Sequence, residues 1–161
     1  MNEHINWNIK HFTELTVAEY HLLLALRTAV FVVEQDCPYQ EVDDKDMVAF
    51  HAFGTRDNGT CIAVARILPK NVSYPEVSIG RIAVAKSVRG MGIADDLMNK
   101  CFEFIVQQFE PQNIRISAQQ YLTNFYNRHG FIGVSEMYLE DNIPHIEMLR
   151  ETSPNLSTEG E

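Results

Sequence analysis

Between residues 87 and 98 the chain reads SVRGMGIADDLM, placing Arg89, Gly90, Met91 and Gly92 directly before an apolar pattern of helical period. A strand, a glycine turn and a helix N-terminus in succession leave several backbone N–H groups unpaired and pointing outwards, which makes a site for an anion. Gly90 and Gly92 tolerate positive φ and carry no Cβ, so a phosphate could reach the amides of the turn and of Ile93 and Ala94. Arg89 would add a charged donor at the rim. The spacing is not that of a GxxxxGK(S/T) loop, and the third glycine of GxGxxG is missing. A plain turn and a helix start would account for the same residues.

Other residues invite a chemical reading beside a bland one. Arg27 and Phe31 are one helical turn apart, so they either wall a pocket or simply pack and pair. Glu34 precedes a polar loop and could take a proton from an ammonium group, or be a solvated carboxylate. His145 lies in IPHIEM as a lone strand histidine, and His51 in AFHAF has no evident partner. Cys37 stands before a proline with no histidine near it in sequence, which speaks against a covalent acyl intermediate.

The elements that must position these residues follow from periodicity. INWNIKHF, residues 5–12, reads as a first strand, and Thr16 with Glu19 forms a capping box opening a helix over about residues 17–31. Residues 36–46 form a polar loop, and two β-rich runs flank the hairpin signal Asn58-Gly59. Residues 77–86 make strand four. Ile93, Leu97, Cys101 and Ile105 mark an amphipathic helix, and residues 113–119 make strand five. A short helix then stops at Gly130, and two closing strands flank EDNIP. The expected domain spans residues 5–150, with a polar, disordered tail over 151–161.

Composition narrows the partners. The chain has 161 residues, 45% of them hydrophobic, enough for one domain with a real core. Thirteen Lys and Arg against 22 Asp and Glu give a formal charge of −9, which argues against nucleic acid or an anionic membrane and suits a basic substrate. No apolar run approaches the ~18 residues of a membrane helix, and the first ten residues lack a signal-like apolar stretch, so a cytoplasmic location is expected. Cys37, Cys61 and Cys101 are widely spaced and odd in number, the pattern of reduced thiols rather than of a disulfide framework or a zinc site.

The residues Arg89, Gly92 and Ala94 match Gln/Arg-x-x-Gly-x-Gly/Ala, and here the chain resembles the GNAT N-acetyltransferase superfamily, whose signature for the coenzyme A pyrophosphate this is. IGRIAV (79–84) resembles the family's strand four, which binds the pantetheine arm. NFYNRHGF (124–131) resembles its second motif, with Tyr126, Gly130 and Phe131 in place. LRTAVFVVEQDCPYQEVD (26–43) and EDNIPHIEM (140–148) are similar to the ElaA-type branch. The block at Arg27, Phe31 and Glu34 also resembles acyl-homoserine-lactone synthases, but those keep a Trp after the Phe, and the single Trp here is Trp7.

The resemblance implies an α/β (α+β) fold: a twisted, mostly antiparallel sheet splayed between strands four and five, with helices on both faces. It implies transfer of an acetyl group from acetyl-CoA to a primary amine within a ternary complex, with no metal. Ile82, Ala83, Val84, Arg89, Gly90, Met91, Gly92, Ile93, Ala94 and Gln119 would hold the cosubstrate, a backbone N–H near Val84 polarising the thioester. Arg27, Phe31, Glu34 and His145 would face the acceptor, Glu34 or His145 taking the amine proton. Tyr126 would protonate the leaving thiolate, since a phenol of pKa ~10 stays protonated beside a thiolate of pKa ~8.5. Asp95 and Asp96 favour the helix dipole but would repel a pyrophosphate, so both are expected to face solvent. A non-catalytic CoA-binding module is the competing class, and a homodimer stays open.

Overall fold

Period-two patterning in the middle of the chain accounts for the sheet in the computed structural model, which describes residues 4–152. β1 (Asn6–His11), β2 (Phe50–Thr55), β3 (Cys61–Leu68) and β4 (Ser78–Val84) pair antiparallel in the order β1-β2-β3-β4. Every residue of β3 is buried, as the centre of a sheet covered on both faces requires. β5 (Ile114–Gln119), β6 (Phe131–Gly133), β7 (Tyr138–Glu140) and β8 (Ile143–Arg150) form a second antiparallel group around β8. A parallel bridge between Val77 and Ile114 joins the two groups, and the Arg115 N–H donates to the Val77 carbonyl at 3.0 Å. Beyond it β4 and β5 form no ladder among the described residues, so the mostly antiparallel sheet splays between strands four and five as expected.

Helices cover both faces. α1 (Val17–Thr28) opens on the expected box: the Glu19 N–H donates to Thr16 Oγ1 at 3.1 Å, and the Thr16 N–H to Glu19 Oε1 at 2.9 Å. Leu23 and Leu26 pack on Phe53, Val64 and Ala83. α2 (Ile93–Phe109) packs Leu97, Met98, Cys101 and Ile105 with Ala52, Ala63, Ala65 and Ile67. Alternating positions of β2 and β3 thus serve opposite helices. The short α3 (Thr123–Arg128) lies beside β5 and β6 and buries Tyr126. No helix among the described residues is long and apolar enough to cross a membrane. All three cysteines are free and buried, and burial pushes the Cys61 thiol up to about 11.

Two expectations need correction. The first helix does not end near residue 31: after Thr28 it widens into a π-helical turn, Ala29–Glu34, in a stretch where Val30, Val32 and Val33 crowd an α-turn. Phe31 and Glu34 lie on this turn, and Arg27 in the α-helix before it. Secondly, residues 131–140 are two strands, because between Gly133 and Tyr138 the chain carries two residues more than β8 does between Met148 and His145. The β7–β8 turn has Asp141 and Asn142 at positive φ, 49° and 63°. The polar segment 36–46 is a loop through Asp43, as expected, then enters a short 3-10 helix, Asp44–Val48, and it is anchored. The expected tail lies, from residue 153 on, outside the described residues.

The anchor is a buried ionic network. Arg27, 1% exposed, donates to Glu41 at 2.6 Å and Asp46 at 3.0 Å. Arg66 donates to Asp46 and Asp43, and Arg81 to Glu41, so three cations meet three carboxylates. The Tyr20 hydroxyl donates to Asp46, whose carbonyl also meets His51 Nε2 at 2.9 Å. Burial alone would raise the Asp46 pKa, but hydrogen bonds from Tyr20, Arg27 and Arg66 outweigh it and hold the carboxyl below its ordinary value. A depressed folded-state pKa contributes stability that is complete above the unfolded value and lost as pH falls through the folded one. Asp46→Asn should therefore cost about 3–5 kcal/mol at neutral pH, because it leaves the buried arginines in excess, Arg27 with Glu41 and Arg66 with Asp43. Urea unfolding should show a flatter loss of stability between about pH 5 and about pH 3 than in the wild type; an unchanged slope would refute the assignment.

Candidate functional site

Where β4 and β5 part, a cavity of about 810 Å³ opens, lined by both strands, the start of α2, the π-helical turn and the β7–β8 turn. One wall is unpaired strand. The Ala85 N–H donates to the Ile62 carbonyl at 2.8 Å, so the alternation of an antiparallel ladder turns the N–H and C=O of Val84 away from β3 and into the gap. The carbonyl accepts from Arg89 Nε at 3.1 Å; the N–H is left for a ligand. Ile82, Ala83 and Val84 all line the cavity, beside a bulge in β4 where Arg81 takes φ 49°.

The start of α2 presents the unpaired amides expected from its glycines. Gly92 caps the helix at φ 78° with no side-chain bond, so the amides of Ile93, Ala94 and Asp95 lack helical partners. Gly90 has φ 80°, and nothing lies within 4 Å of where a Cβ would stand on either glycine. These features fit a pyrophosphate approaching backbone amides. Met91 departs from expectation: its side chain is exposed and does not line the cavity. Asp95 also departs, since its carboxylate meets His129 Nε2 at 2.7 Å and Arg128 at 3.7 Å rather than solvent alone, while Asp96 is exposed. The Arg128 charge offsets part of its repulsion of an anion.

The remaining candidates divide. Tyr126 lines the cavity, its ring set edge-on to Phe125 and Phe131, and no hydrogen bond engages its hydroxyl among the described residues. Burial, with a smaller contribution from Tyr121, raises its pKa, so the phenol stays protonated at neutral pH. His145 lies opposite Gln119 across β5 and β8, and its Nδ1 donates to the Ile143 carbonyl at 2.7 Å. This tautomer turns Nε2 to Glu140, 3.4 Å away. Glu140 accepts from Ser117, which also bonds Tyr138, whose ring stacks on His145. Gln119 exchanges hydrogen bonds with Gln35. Phe31 and Glu34 line the cavity, but Glu34 is bound by Arg89. Arg27 does not reach the cavity, because its guanidinium is committed to the buried network. Sequence reasoning missed Glu140 and Ser117. The EDNIP hairpin was the available signal for Glu140, but the pairing that brings it to His145 depends on the turn.

Residues 12–152 match the acetyltransferase (GNAT) domain family. Protein ElaA of Escherichia coli K12 is 42% identical over 149 residues, which cover 91% of this chain and 97% of that protein. The crystal structure of Escherichia coli ElaA gives a TM-score of 0.86 at 41% identity, covering 92% and 100%. An acyl-CoA N-acyltransferase from Pseudomonas aeruginosa, also known from its crystal structure, gives 0.87 at 42% identity, covering 91% and 99%. The acyl-homoserine-lactone synthase LasI gives 0.70 at 13% identity, covering 93% and 91%, which is a likeness of fold alone.

Gly92→Val tests the cradle. A β-branched residue at this φ should cost about 1–2 kcal/mol of stability, and its side chain would project into the open space above the amides. Calorimetric titration with CoA should show weakened binding in protein that is still folded; unchanged affinity would remove the anion site from this turn.

Proposed function

The chain belongs to the GNAT acetyltransferase family, in its ElaA-type branch, and from that premise we propose that it transfers an acetyl group from acetyl-CoA to a primary amine in a ternary complex. The observation that carries the reading is the fork itself: the open edge of β4 at Val84, the uncapped start of α2 and the unbonded hydroxyl of Tyr126 border one cavity. The donor's pyrophosphate lies on the amides of Ile93 and Ala94 with Arg89, and its pantetheine arm runs along Ile82, Ala83 and Val84, within reach of Gln119. The Val84 N–H faces the developing oxyanion.

The amine nitrogen attacks the thioester carbonyl, forming the C–N bond as the C–S bond breaks. The departing sulfur takes the proton of the Tyr126 hydroxyl. The amine's own proton passes to His145 at Nε2, with Glu140 stabilising the imidazolium. Glu34, with Phe31, faces a cationic group of the acceptor apart from the neutral amine that attacks. The −9 charge favours such a cationic acceptor over an anionic one.

A panel of primary amines with acetyl-CoA, followed by the appearance of free thiol, tests this reading. At least one amine should release CoA and become N-acetylated; tight CoA binding with no release for any amine would make the protein a binding module instead. Tyr126→Phe keeps the ring and its packing. Single-turnover transfer should fall by roughly 10²- to 10⁴-fold, with CoA affinity preserved. Stability should change by less than about 1 kcal/mol, the worth of a hydrogen bond that the hydroxyl does not make. Near-normal transfer would reassign the thiolate's proton to water.

A further inference from the structure

Glu34 closes the π-helical turn and Arg89 precedes the glycine turn, yet their side chains meet as a fork-to-fork pair, Nη1 to Oε1 and Nη2 to Oε2, both at 2.9 Å. Both residues line the cavity. The carboxylate therefore holds the face of the guanidinium that a phosphate would use, because both anions fit the same planar fork. We propose that Glu34 is an internal stand-in for the donor's pyrophosphate: it keeps Arg89 in the free protein, yields it when the pyrophosphate arrives, and then serves as the anionic site for the acceptor's cationic head. This inference rests on the acetyl-CoA reading above.

Two comparisons decide who wins Arg89. The pyrophosphate carries more charge than one carboxylate and gains the unpartnered amides of α2 as well, which Glu34 does not engage. The pair is part exposed, 41% for Arg89 and 34% for Glu34, so its net worth is small and exchange is easy. Once Arg89 has turned to the phosphates, Glu34 is a carboxylate on the cavity wall without its counter-ion, and an ammonium group restores the balance. Either substrate must break the same ion pair, so the first to bind bears that cost and the second does not. By reciprocity, donor and cationic acceptor then strengthen each other's binding to the same degree.

Calorimetric titrations of the wild type, Glu34→Gln and Glu34→Ala with CoA and with pantetheine, which lacks the pyrophosphate, test the exchange. Both variants should bind CoA about two- to fivefold more tightly than the wild type, the range for losing a part-exposed competitor. Pantetheine affinity should not change. In an Arg89→Ala background the gain should vanish, and with a turned-over amine Glu34→Gln should raise the KM for the amine while lowering that for acetyl-CoA. CoA binding no tighter than in the wild type, or equal tightening of pantetheine, would overturn the stand-in role alone. A wild type that binds no CoA would overturn it together with the donor reading.

Discussion

Everything at the site depends on β4 and β5 being held together at one point and free elsewhere. The Val77–Ile114 bridge fixes their starts, and beyond it the inner edge of β4 has polar backbone groups with no strand to take them. Such an edge inside a sheet needs partners, and it has them in two forms: Arg89 takes the Val84 carbonyl, and the cavity leaves the Val84 N–H to a ligand. The same divergence leaves room for the glycine turn to lead into α2 at the fork, so that a row of strand amides continues into a helix N-terminus. A phosphate-bearing, amide-bearing chain suits that surface better than a compact ligand does.

The buried ionic network holds the opposite wall. A loop and the short 3-10 helix that follows it are fixed beside the cavity by Glu41, Asp43 and Asp46, each engaged by arginines from α1, β3 or β4. Balanced charge makes this burial tolerable, and removing one member leaves a buried charge in excess. The network also explains why Arg27 is conspicuous in sequence without facing the acceptor: it secures the segment that includes Tyr39 and Asp43, which do line the cavity. Phe31 and Glu34, on the π-helical turn, line the site while Arg27 remains in the core.

Local signals made much of this legible. The Thr16–Glu19 box, the apolar period of α2, the Asn58-Gly59 turn and the glycine turn before α2 each act over a few residues, and each lies in the element expected for it. Features that depend on distant partners were not legible. Nothing near Glu34 announces Arg89, 55 positions away, and nothing near Asp95 announces His129. The π-helical widening could not be read from helical spacing, since that spacing presumes an unchanged pitch. The same holds for β6 and β7, where two extra residues break a run that reads as one strand.

Residue-resolved amide hydrogen exchange, with and without CoA, tests the central claim that the fork is the donor lane. The account predicts that the amides of Val84, Ile93 and Ala94, which lack partners in the protein alone, exchange quickly when free and become protected together at saturating CoA. Amides of β1, at the far edge of the sheet, should not change. Protection confined to other surfaces, or no change at Val84 and Ile93 under saturation, would contradict it.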